Sequence, residues 1–191
     1  MIENLKIFLV SAIILVSFYA CSDVKSYPDE PEISFTYVYL ADTVNAVGTD
    51  VKLQKLCFEV VDGDGNIGGY DTDTSNLFIS ILAKRSDGTY REITDLQGEP
   101  IRFEYRIPYN EPVGQNKYLK ASVRVKIESE LAFFNYDTIK YEFYVYDRDM
   151  NRSNTSETCD IPVKIHGTIY SDGTIDEIVD EDETIEEQTE K

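Results

Sequence analysis

The chain has 191 residues, room for one domain of ordinary size with tails. Acids outnumber bases 36 to 18, and a net charge of -18 repels phosphate backbones, which sets nucleic-acid binding aside. One His and three Cys leave little material for a zinc site or for His-based catalysis.

The first twenty residues read as a targeting segment. Lys6 precedes an apolar run from Ile7 to Ala20, fourteen residues long, too short for a stable bilayer span but suited to a signal-peptide core. The run ends at Ala20-Cys21 and turns polar at Ser22-Asp23. A small residue, a Cys and a polar tether resemble the bacterial lipobox. The expectation is a lipoprotein acylated at Cys21, with residues 21–32 as an acidic, Pro-containing tether. Acids soon after the Cys resemble the export signal of Bacteroidetes lipoproteins and imply an outer-membrane location, facing the cell exterior. Acyl-chain anchoring is then the membrane contact.

From Ile33 to Ile165 the pattern is short strands between turn signals, with no long 3.6-period segment. Strands are predicted over 33–40, 51–61, 76–85, 90–94, 101–107, 118–128, 138–146 and about 157–165. The second changes apolar phase between Leu53 and Leu56, which predicts a bulge near Lys55. The clearest alternation sets Leu119, Ala121, Val123, Val125 and Ile127 against Lys120, Ser122, Arg124, Lys126 and Glu128. Residues 138–146 repeat it, with Ile139, Tyr141, Phe143 and Val145 on the apolar side. Seven or eight such strands indicate an all-β fold, a single immunoglobulin-like antiparallel β-sandwich over 33–165. Cys57 and Cys159 fall on different strand phases relative to the core, which argues for free thiols. The tail, 166–191, holds ten acids against one base and reads as a solvated, disordered segment.

Two segments could carry chemistry. One is D-G-D-G-N at Asp62, Asp64 and Asn66, followed by Asp71 and Asp73. The other is D-R-D-M-N at Asp147, Asp149 and Asn151. Alternate short acids on a tight loop can aim several oxygens at one point, which is what calcium needs. An EF-hand is rejected: Ile67 stands where Gly is required and Asp73 where Glu is usual. In an immunoglobulin-like sandwich the loops after strands B and F share one end; with 51–61 as B and 138–146 as F, the two acidic loops are expected to meet. The expected ligands are Asp62, Asp64, Asn66, Asp147 and Asp149. Salt bridges from Arg148 and Arg152 are the rival way to neutralise them.

These residues also carry a family resemblance. F-x-V-x-D-G-D-G-N-I-G over 58–68 and D-R-x-x-N-x-S-N-T over 147–155 resemble Bacteroidetes lipoproteins of unknown function. The resemblance implies a fold and a location and carries no catalytic residue.

No enzyme motif is present, His166 stands alone, and no carboxylate pair is singled out as a glycosidase set. The fourteen Tyr exceed what a core needs, and Tyr144 and Tyr146 fall on the polar phase of their strand. The reading is a non-catalytic envelope module for adhesion, glycan contact or assembly of an outer-membrane complex. A calcium-stabilised spacer is the alternative, and a carboxylate-based glycan-processing enzyme a more distant one.

Overall fold

A computed structural model describes residues 27–70, 72–112, 117–130 and 136–178. Cys21, Asp71 and residues 179–191 of the acidic tail lie outside these residues. The described chain is all-β, with two antiparallel sheets forming a sandwich. In chain order the strands are β1 Glu32–Val44, β2 Asp50–Asp62, β3 Leu77–Lys84, β4 Tyr90–Glu92, β5 Arg102–Tyr105, β6 Leu119–Glu130, β7 Thr138–Val145, β8 Ser156–Glu157, β9 Ile161–Pro162, β10 Gly167–Tyr170 and β11 Ile175–Glu177. The five-stranded sheet runs β11-β10-β1-β2-β6. The other runs β4-β3-β7-β8, with β5 also on β3 and β9 also on β7.

The core follows the period-2 alternation. Ile139, Tyr141, Phe143 and Val145 of β7 are fully buried, as are Leu56, Phe58 and Val60 of β2. Phe58 and Phe143 meet across the two sheets with ring centroids 5.0 Å apart. The Tyr141 hydroxyl donates to Gln54 Oε1, so the inward row of β2 continues through a polar side chain.

Two expectations are corrected here. β2 keeps unbroken register with β6 from Val51 to Asp62, so there is no bulge at Lys55. The irregularity lies in the partner strand β1, between Phe35 and Tyr37. The apparent phase change arises because inward positions on β2 are occupied by Gln54 and Lys52, polar groups whose partners, Tyr141 and Asp42, come from other strands. Eleven strands are present among the described residues rather than seven or eight. The surplus includes β10 and β11, which lie in the segment read as tail. Gly167 and Ile169 are buried there, and Ile169 joins the core. Cys57 and Cys159 are free thiols, as their phases indicated.

Candidate metal centre

β2 and β7 end at the same edge of the sandwich, and the loops that follow them pair: Ile67 bridges Asp147 in antiparallel fashion. The 62–68 loop can turn this tightly because of its glycines. A Cβ on Gly63 would lie 2.3 Å from the Pro28 carbonyl oxygen, and Gly65 has φ +68° with its missing Cβ 1.9 Å from the Lys117 carbonyl oxygen. The partner loop turns through Met150, a non-glycine residue at φ 67° whose N–H donates to Asp147 O.

Asp62 ends the inward row of β2 and is fully buried; Asp147 is 4% exposed. Oxygens of Asp62, Asp64 and Asp147 all lie within 4.8 Å of one another. Asp62 Oδ2 accepts the Ile67 N–H at 2.9 Å, whereas Asp62 Oδ1 has no donor. Asn66 Nδ2 donates to Asp64 Oδ2 at 2.8 Å and to Asp149 Oδ2 at 2.9 Å, tying the loops together. Its Oδ1 is buried without a donor. Asp147 is oriented by Asn151, whose N–H and Nδ2 each reach one of its oxygens at 2.7 Å. Burial, then the charge of Asp64 and that of Asp147, push the Asp62 carboxyl up to about 7, against the lowering pull of the Ile67 N–H.

All five expected ligands therefore gather at one place. Asp62, Asp64 and Asp147 form the cluster, Asn66 links Asp64 to Asp149, and Asp149 is the exposed member. Asp73 does not join them; its Oδ2 accepts the Tyr70 N–H at 2.6 Å. Arg148 and Arg152 do not fill the gap either. The Arg148 guanidinium lies against the rings of Tyr70 and Tyr109, 4.4 and 4.9 Å from their centroids. That of Arg152 covers Tyr144 at 4.0 Å. Among the described residues neither makes an ion pair.

Other residues of the two motifs are structural. Ser153 Oγ accepts the Val145 N–H at 3.0 Å. Asn154 accepts the Ile33 N–H at 2.8 Å and donates to the Ile33 carbonyl at 2.9 Å, fastening this loop to β1. The positioning role of Asn151 is one that the sequence alone did not single out; its place two residues after Asp149 was the available signal.

A hollow of about 650 Å³ beside the loops is lined by Asp73, Asn76, Phe78, Glu104, Tyr146 and Arg148, among others. His166 lies elsewhere, with Nε2 2.5 Å from Asp42 Oδ2. Comparison with known proteins finds no matching family model, no matching curated relative and no matching solved structure.

Proposed function

We propose that this chain is a non-catalytic module of a bacterial envelope, held to the outer membrane by a lipid on Cys21. A calcium ion bound where the 62–68 and 147–151 loops meet stabilises it. The anchor rests on the apolar run ending at Ala20-Cys21. The ion rests on one observation: two buried acceptor oxygens, Asp62 Oδ1 and Asn66 Oδ1, lack donors in a cluster that also holds Asp64 and Asp147. Buried acceptors left without partners are rare and costly, and carboxylates this close repel one another. One cation removes both penalties.

The donor chemistry selects the metal. Every ligand is oxygen, with no His or Cys, which favours a hard cation over zinc. Ligands at 2.3–2.6 Å from a shared calcium can be at most about 5 Å apart, and the 4.8 Å cluster meets that limit. A site of clustered carboxylates, completed by neighbouring oxygens and water, suits calcium better than magnesium, which retains its waters. An enzyme reading has less support: Asp73 and Asp147, two acids beside the hollow, are already tied to turn amides, and His166 is engaged with Asp42.

Calorimetric titration of the chelator-stripped protein tests the ion. One calcium per chain, with an affinity on the order of 10⁻⁴ to 10⁻³ M and far weaker magnesium binding, is expected. Absence of calcium heat at millimolar concentration would overturn the site. Retention of membrane partitioning by Cys21→Ser would overturn the anchor.

A further inference from the structure

The excess of Tyr invites a search for a contact face, and the first candidate, around Tyr144 and Tyr146, is already occupied. Tyr144 stacks on Phe78 at 5.4 Å and 18°, Arg152 lies over it, and Tyr146 packs edge-on against both rings. These rings are spent on each other.

On the outer face of the five-stranded sheet Tyr37 and Tyr170 also meet, 6.2 Å and 56° apart, but these rings border an open groove. Strand register lays out two rows there. Tyr170, Tyr37, Cys57 and Arg124 are successive partners in one row; Thr168, Tyr39, Lys55 and Lys126 are successive partners in the next. Each row passes from an aromatic or polar half on β10 and β1 to a cationic half at β6. Four strands at their usual spacing make each row about 14 Å long. A groove of about 480 Å³ runs among Tyr37, Tyr39, Lys55, Thr168 and Tyr170. Tyr170 is 40% exposed, and Lys55, Arg124 and Lys126 are exposed.

The charges on this face run against the rest of the chain. Lys55 and Lys126 stand directly opposite each other across β2 and β6, an arrangement that repels. Two acids of β2 and β6, Glu59 and Glu128, lie among the cations and pair with two of them. Lys126 reaches Glu128 at 2.6 Å and Lys120 reaches Glu59 at 3.4 Å. Lys55 lies over the Tyr39 ring at 5.3 Å and Arg124 beside the Tyr37 hydroxyl, and neither makes an ion pair among the described residues. Asp176 stands at the opposite, aromatic end, across from Thr168. Lys55 and Arg124 are therefore the cations of this face left without a salt-bridged carboxylate among the described residues, and they stand beside the Tyr37–Tyr39–Tyr170 groove.

We infer that this face binds an acidic glycan, with sugar rings on Tyr37, Tyr39 and Tyr170 and a carboxylate toward Lys55, Arg124 and Lys126. Sugar C–H groups carry slight positive charge and suit the negative face of a Tyr ring. Carboxylates spaced one or fewer per sugar meet the local cations, since the distant acids are screened beyond about 8 Å at physiological ionic strength. A nucleic acid, with a charge at every phosphate, extends past the face into the acidic body. The inference rests on the reading of the chain as a non-catalytic envelope module but not on the calcium site, which lies beyond the end of β2.

The test is a panel of immobilised glycans, uronate- and sialate-bearing beside neutral ones, probed with the wild-type protein, Lys55→Ala/Arg124→Ala and Asp62→Asn. An unchanged circular dichroism spectrum controls for folding of each variant. Retention of acidic glycans by wild type, loss of at least tenfold in the double variant, and equal retention by Asp62→Asn are expected. Tyr39→Ala should lose a similar factor, which a purely ionic contact would not. No acidic glycan retained, neutral glycans retained equally well, or tighter binding of polyglutamate or a single-stranded oligonucleotide would overturn the inference. Absence of calcium binding by the wild-type protein, with its glycan retention intact, would fail the metal site and leave this face standing.

Discussion

The inward row of β2 buries an ionisable side chain at each end, and the two ends are treated differently. At one end Lys52, 3% exposed, meets Asp42 directly across the β1–β2 pair, with Nζ 2.5 Å from Oδ1; Asp42 also meets His166. At the other end Asp62 meets Asp64 and Asp147. One end carries its counter-charge in the chain. The other gathers like charges and leaves acceptor oxygens free. A buried charge needs a partner, and this contrast is what supports the proposed cation at the loop end.

The largest effect should come from breaking the closed end. Asp42→Ala leaves the Lys52 ammonium buried without its carboxylate, and we expect a loss of about 2–4 kcal/mol in urea unfolding, reduced from the fully buried case because Asp42 is partly exposed. Next is the open end filled. Calcium at 10 mM, ten- to a hundredfold above the expected dissociation constant, should add about 1.4–2.7 kcal/mol and raise the melting temperature. Asp147→Asn should remove most of that increment.

A third effect is a pH dependence of the calcium-free protein. Asp62 is held near 7, above the ordinary carboxylate value of about 4, so between these limits the folded chain keeps a proton that the unfolded chain has lost. Its contribution to stability therefore rises as pH falls through 7 and is complete near 4. Asp42 has the opposite sign, because its carboxyl is held low by hydrogen bonds and charge from Lys52 and His166 in spite of its burial. Stability curves of wild type and Asp62→Asn, measured in chelator and subtracted, isolate the Asp62 part. A flat difference curve from pH 4 to 8 would contradict the assignment.

The same contrast shows how much of the molecule is legible in the sequence. The alternation in β6 and β7 is a direct record of which side chains face the core, and the resulting strand order was enough to bring the two acidic loops together. Lys52 and Gln54 defeat the reading of β2, since a Lys and a Gln on an inward row look like a break in phase. Their partners, Asp42 and Tyr141, come from other strands and cannot be seen locally. β10 and β11 are hidden for a related reason: in an acidic segment only Gly167 and Ile169 turn fully inward. At the metal centre the residue types were readable. The division of labour was not, because whether Asn151 orients Asp147 or ligates an ion depends on atoms rather than spacing.

The central claim is that the loop end of the sandwich lacks a cation. Thermal melting of wild type and Asp62→Asn, each in chelator and in 10 mM calcium, tests it most directly. The Asn side chain keeps an acceptor for the Ile67 N–H and turns a donor toward Asp64 and Asp147, so the substitution relieves the same repulsion that calcium would. The account predicts a crossing: Asp62→Asn melts above wild type in chelator, and calcium raises wild type while leaving the variant unmoved. Melting temperatures indifferent to calcium in both proteins, with Asp62→Asn less stable than wild type throughout, would contradict it.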